Sequence, residues 1–214
     1  MLEDISFETI KQKFQSDKKF KIAYYIAGGV IVLGTVYFVY HQFVYTPANN
    51  KSKDAYWKGL NYAKNDSTDL AIKSLSKTAK KYDGKVGGEI SQFLLARQYM
   101  NKGKFKKAIE KFEDVDLDDA FVSALSVGLI GDCYSELKKY SKAIEYYNEA
   151  ADKNDGNDFI TPMYLFKAAL CYEELKKFES ATELYTKIKD FYPDFGNQKQ
   201  IDKYIARASN TKVK

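Results

Sequence analysis

Arginine is almost missing from this chain: Arg97 and Arg207 are the only two, and every other basic side chain is lysine. Guanidinium forks are the preferred readers of phosphates and base edges, so a mild net charge of +5 carried by dispersed lysine argues against a nucleic-acid surface. Histidine occurs once, at His41, and cysteine twice, at Cys133 and Cys171. One imidazole and two distant thiols cannot assemble a nitrogen–sulfur metal site or a histidine-based catalytic triad. Two cysteines are also too few for a disulfide framework. Three prolines in 214 residues leave room for long helices. Gly87-Gly88 lacks a surrounding phosphate-loop pattern. The acidic run Asp114, Asp116, Asp118 and Asp119 lacks the glycine and closing glutamate of a calcium loop, and reads as a turn with a helix N-cap. No catalytic, cofactor or metal residue is therefore assigned, and the chain is expected not to be an enzyme.

One long run has no charge at all. Ile22 to Val44 reads IAYYIAGGVIVLGTVYFVYHQFV, long enough to cross the ~30 Å hydrocarbon layer as a helix. Tyr24 and Tyr25 at one end and Tyr37, Tyr40 and Tyr45 toward the other resemble interfacial aromatic belts, and Pro47 is expected to end the helix. The acidic, lengthy segment before it fits an uncleaved anchor better than a signal peptide. Lys11, Lys13, Lys18, Lys19 and Lys21 crowd the N-terminal flank. The positive-inside tendency therefore predicts a cytoplasmic N-terminus with the rest of the chain on the opposite side. Within residues 1–21, Phe7, Ile10 and Phe14 share one helical face and suggest a short interfacial helix.

C-terminal to this run the chain repeats. Gly59-Tyr62-Ala71, Ala96-Tyr99-Ala108, Gly131-Tyr134-Ala143 and Ala169-Tyr172-Ala181 keep one internal spacing, and the sets recur every 35 to 38 residues. A fixed spacing at such a period predicts stacked helical hairpins. The small residue lets the second helix approach, Tyr three positions on lies on the same face, and Ala is the small site across from it. Four positions beyond each Ala stand Leu75, Phe112, Tyr147 and Tyr185, expected to close the core. Gly103 supplies a left-handed cap in the second unit, Ser141 is the expected N-cap in the third, and Pro162 opens the fourth. Cys133 and Cys171 occupy equivalent sites one position before the motif Tyr and read as small buried fillers. Packed helices stand about 8 to 10 Å apart, so a bridge would require convergent side chains. GNQKQIDKYIARAS then reads as one amphipathic capping helix with Ile201, Tyr204, Ile205 and Ala208 on one face.

These positions resemble the tetratricopeptide repeat over roughly residues 52 to 193, although Trp57 stands two positions from that repeat's usual tryptophan. The expected fold is all-α: a segment 1–21, a single transmembrane helix 22–44, a linker 45–51, an α-solenoid of about four hairpins over 52–193, and a C-terminal cap over 194–214. The resemblance implies a partner-binding groove on the first helices, at Tyr56, Phe93, Arg97, Met100, Asn101, Asp132, Met163 and Phe166. Tyr56, Phe93, Gly128 and Phe166 stand where carboxylate-gripping arrays need lysine, which argues against that mode and for an apolar partner segment. An equal reading has several of these side chains packed inside the protein. With the anchor ahead of it, and most closely in GGEISQFLLARQYMNKGKFKKAIEKFEDV, the chain resembles the ancillary SecYEG translocon subunit (YfgM-like) family. That resemblance implies a single-pass protein of the bacterial inner membrane with periplasmic repeats, whose partners are translocon subunits, chaperones or exported chains. A structural subunit of another envelope complex and an organelle receptor with cytosolic repeats stand as the alternatives.

Overall fold

The computed structural model describes residues 11, 14–153 and 156–211, and among these the regular structure is helical. Phe7 and Ile10 of the expected interfacial helix lie outside the described residues. The chain divides into two compact units, Met1–Asn50 and Lys51–Lys214.

In the first unit, helix α1 runs Lys18–Tyr40 and starts on Asp17, whose side chain accepts from the backbone N–H of Lys19 at 2.8 Å. No residue of α1 is buried, and Ile31, Leu33 and Tyr37 are about two-thirds exposed, at 69, 71 and 67 %. A core helix of a water-soluble domain would have this apolar surface covered by protein. By length and composition α1 is able to cross a membrane. Beyond it the backbone widens into one π-helical turn, His41–Tyr45, whose closing bond runs from the Thr46 N–H to the His41 carbonyl. The His41 ring lies 5.8 Å from that of Tyr37 and stacks on Tyr45 at 5.2 Å. Pro47 does not end the helix: α2 spans Thr46–Lys64 and carries Pro47 in its first turn. Thr46 Oγ1 donates to the His41 carbonyl at 2.9 Å, so the widened turn carries the chain past the imide nitrogen, which has no proton to give.

The second unit pairs α2, from Lys51 onward, with α3 (Thr68–Lys81), α4 (Val86–Asn101) with α5 (Phe105–Glu113), α6 (Ala120–Glu136) with α7 (Tyr140–Asp152), and α8 (Ile160–Glu174) with α9 (Phe178–Phe191). Consecutive helices pack from α3 onward, and the first helices α6 and α8 also touch. All four motif Ala residues, Ala71, Ala108, Ala143 and Ala181, are fully buried. The physical reason lies across the hairpin. A Cβ placed on Gly59 would stand 2.5 Å from the Leu75 side chain, and one on Gly131 would stand 2.7 Å from the Tyr147 ring. The large residue four positions after Ala thus presses onto the small residue of the first helix. Leu75 is wholly out of water, a burial that contributes about 1.5–3 kcal/mol.

The core of the second unit falls into three clusters, and each straddles a boundary between hairpins. One joins Ala71 and Leu75 to Leu95, a second joins Phe112 to Ile130 and Cys133, and the third runs from Ala143 through Tyr164 and Tyr185 to Ile201 and Ala208. No hairpin closes its own core, which is why the units stack. Glu89, only 6 % exposed, accepts from the backbone N–H of Gly84 at 3.1 Å and of Asp116 at 2.8 Å. Its carboxylate ties the turn before α4 to the loop before α6. In that loop Asp119 caps α6 through the Val122 N–H at 2.9 Å.

The hairpin turns share one geometry. The residue four after each motif Tyr has positive φ: Asp66 at 53°, Gly103 at 67°, Lys138 at 56° and Lys176 at 58°. The next N–H returns to the Tyr carbonyl, from Ser67 at 2.9 Å, Lys104 at 2.8 Å, Lys139 at 2.8 Å and Lys177 at 2.9 Å. This closing bond satisfies a carbonyl that the helix end leaves unpaired. Glycine adopts that conformation freely, whereas an L side chain there costs about 1–2 kcal/mol. Ser141 is not an N-cap: α7 begins one residue earlier, at Tyr140, after Lys139, which makes no side-chain cap bond. The expected single capping helix is broken as well. Pro193 opens a short α10 (Pro193–Lys199), Gln200 turns left-handed at φ 54°, and α11 covers Ile201–Thr211. The break lets Phe195 and Ile201 both reach the core, at 4 and 3 % exposure.

Candidate functional site

The second unit opens a polar cleft along its first helices. Asp132 follows Gly131 on α6, one residue around the helix from the packing stripe, and is therefore half-buried at the rim of the core. Its carboxylate receives Lys167 of α8 at 2.7 and 2.8 Å and the Tyr147 hydroxyl of α7 at 2.7 Å. Charge-assisted bonds of this length are stronger than neutral ones, and three converge on one group. The Lys167 ammonium also stands over the rings of Tyr147 at 5.7 Å and Tyr164 at 5.6 Å, which stack on each other at 6.1 Å. Burial, and next the Asp132 charge, push the Tyr147 phenol far above its ordinary pKa, so it stays a neutral donor. Adjacent Cys133 is free and buried, and burial raises its thiol to about 12. Cys171 is likewise free and buried, with its Sγ 3.9 Å from Ser135 Oγ. Both thiols therefore act as the small fillers that the spacing predicts.

A second constellation closes the C-terminal end. Glu173 accepts from the Tyr185 hydroxyl at 2.9 Å and pairs with Arg207 of α11 at 2.7 Å. Burial, then the bond to Glu173, raises the Tyr185 pKa well beyond its usual range. Between the two constellations lies a cavity of about 600 Å³ lined by Asp132, Ser135, Tyr140, Tyr147, Lys167, Glu174 and Arg207, among others. A neighbouring one of about 400 Å³ holds Met100, Asn101, Phe105 and Glu136, and shares Asp132, Ser135 and Tyr147 with the first. Together they form a trough crossing from α4 to α11.

Of the eight groove residues expected from sequence, the trough contains Met100, Asn101 and Asp132. Arg97 is exposed on α4, and Tyr56 is half-buried on α2 with its ring stacked on Trp57 at 5.0 Å. The others lean into the protein. Phe93 meets Phe112 edge-on at 5.6 Å, and Met163 packs against the third core cluster. Phe166 sits among Tyr185, Phe195 and Tyr204, the last at 4.8 Å. Lys167, Tyr147, Glu173 and Arg207 are site residues that sequence reasoning does not single out. Asp132 and Lys167 lie 35 residues apart, close to one repeat, so opposite charges at that separation are the available signal. Nothing in the sequence places Arg207 on Glu173, because α11 lies outside the repeat.

Family models of the tetratricopeptide repeat match residues 126–152 and 164–194. The fold is that of a tetratricopeptide-repeat array. Crystal structures agree at low sequence identity. A MamA structure is 21 % identical, with 77 % of this chain and 84 % of that one aligned and a TM-score of 0.62. The tetratricopeptide-like repeats of a putative kinesin light chain from Podospora anserina are 16 % identical over 77 % and 88 %, with a TM-score of 0.61. A tetratricopeptide repeat protein from Parabacteroides merdae gives 16 % over 75 % and 61 %, with a TM-score of 0.60. No curated protein sequence matches the chain. The two matched spans fall on α6–α7 and α8–α9, the hairpins that supply Asp132, Tyr147 and Lys167. The trough thus has its centre on the two matched hairpins and extends beyond them to α4 and α11.

Proposed function

We propose that the chain is a membrane-anchored tetratricopeptide scaffold that holds protein partners on one side of a bilayer. Tetratricopeptide repeats serve as protein–protein interaction scaffolds and are generally non-catalytic. One observation carries the membrane part of the reading: α1 is long and apolar, and no residue of it is buried by protein. A bilayer is the solvent that removes this surface from water. The lysine-rich flank at Lys18, Lys19 and Lys21 supports an N-terminus on the cytoplasmic side. The narrower reading, an ancillary adaptor beside the bacterial Sec translocon that passes exported chains to periplasmic chaperones, rests on the sequence resemblance.

Orientation is tested with a cysteine introduced at exposed Lys203 and a membrane-impermeant maleimide on intact spheroplasts. Cys133 and Cys171 are buried and give little background. Labelling before lysis is the expected result, and labelling only after lysis would remove the periplasmic reading. Photo-crosslinkers at Met100 and Asn101, in the trough, then separate the roles. Many different nascent chains among the products support an adaptor, whereas one stoichiometric product indicates a fixed structural subunit.

A further inference from the structure

The hairpin turns carry charge where the local backbone rules disfavour it. In the second, third and fourth hairpins the residue just before the second helix is Lys104, Lys139 and Lys177, and none of the three makes a side-chain cap bond. Ser67 at the same slot of the first hairpin makes no side-chain cap bond either, so lysine forfeits no cap there, but a cation at a helix N-terminus opposes the dipole. One residue earlier stand Gly103, Lys138 and Lys176, all left-handed. Two of the three thus place a lysine where glycine fits without strain. The same two rules are broken at the same slots in successive repeats. Sequences that break a local rule without a folding gain do so at functional surfaces.

The charge is also available. Lys104, Lys138, Lys139, Lys176 and Lys177 are all exposed, and none has an ion-pair partner among the described residues. Glu136 and Glu174, two residues before Lys138 and Lys176, line the clefts instead, and Glu179 lies in the first turn of α9. The turn aromatics Phe105, Tyr140 and Phe178 are half-buried, so these three turns offer no exposed apolar side chain for insertion into a bilayer. Repeats stack side by side, so the three turns follow one another along one edge of the array.

We propose that this lysine edge is a docking surface for an acidic polypeptide segment of a partner, separate from the trough. Lysine suits it because dispersed carboxylates need point charges on mobile stems rather than a rigid fork. Steering by such an edge speeds encounter and weakens with salt.

The test uses the full chain in neutral detergent and a fluorescein-labelled deca-glutamate peptide, with binding followed by anisotropy across a salt series. The variant combines Lys104→Ser, Lys138→Gly, Lys139→Ser, Lys176→Gly and Lys177→Ser. Binding should weaken at least about tenfold, which five exposed ion pairs near the weak end of their range sum to. The salt dependence should flatten, while the melting temperature rises because glycine relieves the left-handed strain at positions 138 and 176 and the cations leave the helix N-termini. This opposed pair of changes distinguishes a docking edge from a structural one. Unchanged peptide affinity in the variant overturns the proposal. So does stronger binding to phosphatidylglycerol vesicles than to the peptide, which reassigns the edge to lipid. Salt-sensitive self-association of the wild-type chain that the variant abolishes also overturns it, since the occupant is then a second copy. None of these outcomes depends on membrane orientation, so failure here leaves the anchored-scaffold reading to its own test.

Discussion

Gly131 shows how little room a single repeat position has. A methyl group there would meet the Tyr147 ring at 2.7 Å and the Ala143 carbonyl at 3.3 Å. Tyr147 cannot yield, because its hydroxyl is held by Asp132 and its ring is stacked on Tyr164. Gly131→Ala is therefore expected to destabilise the chain by about 1–3 kcal/mol, read as a lowered helical circular-dichroism melting temperature. An unchanged melt would mean the hairpin relaxes more easily than its packing implies. The buried thiol at Cys133 makes a second residue-level prediction. Its pKa is raised from an ordinary 9.0 to about 12, so the folded state holds that proton more tightly than the unfolded state. The associated stability is complete below the ordinary thiol pKa and is lost as pH rises from 9.0 toward about 12. Tyr147, Tyr164 and Tyr185 shift in the same direction, chiefly through burial. Urea midpoints should fall steeply across that alkaline window and stay flat between pH 7 and 8.5, roughly. A fall already complete by pH 8.5, about where free thiols titrate, would contradict the burial.

Among the elements, the link between α6 and α8 is the most informative. Asp132 and Lys167 are each partly exposed, at 24 and 32 % of the side chain, so the pair is partly screened. Asp132→Asn should nevertheless lower the melting temperature, because it removes a charged acceptor from both Lys167 and the Tyr147 hydroxyl. A double-mutant cycle with Lys167→Gln should return a coupling of about 0.5–3 kcal/mol, the range for groups in one network. A coupling of zero would leave Tyr147 as the sole structural partner. Phe93 belongs to the same scale. Its edge contact with Phe112 makes Phe93→Asp a packing mutation, expected to lower the melt rather than only to weaken a partner. The repeat spacing and the Asp119 cap were legible because they depend on neighbours within a turn or two. Ser141 misled because its residue type favours a cap, while the left-handed Lys138 already sets the turn one residue sooner.

At the scale of the whole molecule, stability is shared between neighbours instead of residing in any hairpin. The terminal helices α10 and α11 bring Phe195, Ile201 and Ala208 onto the last core cluster, and Arg207 onto Glu173. Ending the chain at Tyr192 should therefore expose Tyr185 and Ile188 and lose more than a frayed tail would. The expected readout is a lowered melting temperature with aggregation, whereas an unchanged melt would show that α9 closes the array alone. Arg207→Ala should reproduce a smaller part of that loss, since among the described residues it leaves the Glu173 carboxylate with Tyr185 as donor.

The sequence by itself determined the all-helical class, the four hairpins and their buried Ala and small residues, because each depends on the 3.6-residue period and on contacts across one short turn. It also determined the apolar run of α1, which needs no partner to be recognised. Only the tertiary structure decided which first-helix residues remain open. Phe93 and Phe166 looked as available as Met100 and Asn101, yet what covers one side of a helix is another helix whose placement the local pattern does not contain. The same holds for Lys167 on Asp132 and Arg207 on Glu173, pairs made by elements 35 and 34 residues apart. Stacking geometry brings those charges together, and stacking is a property of the assembled array.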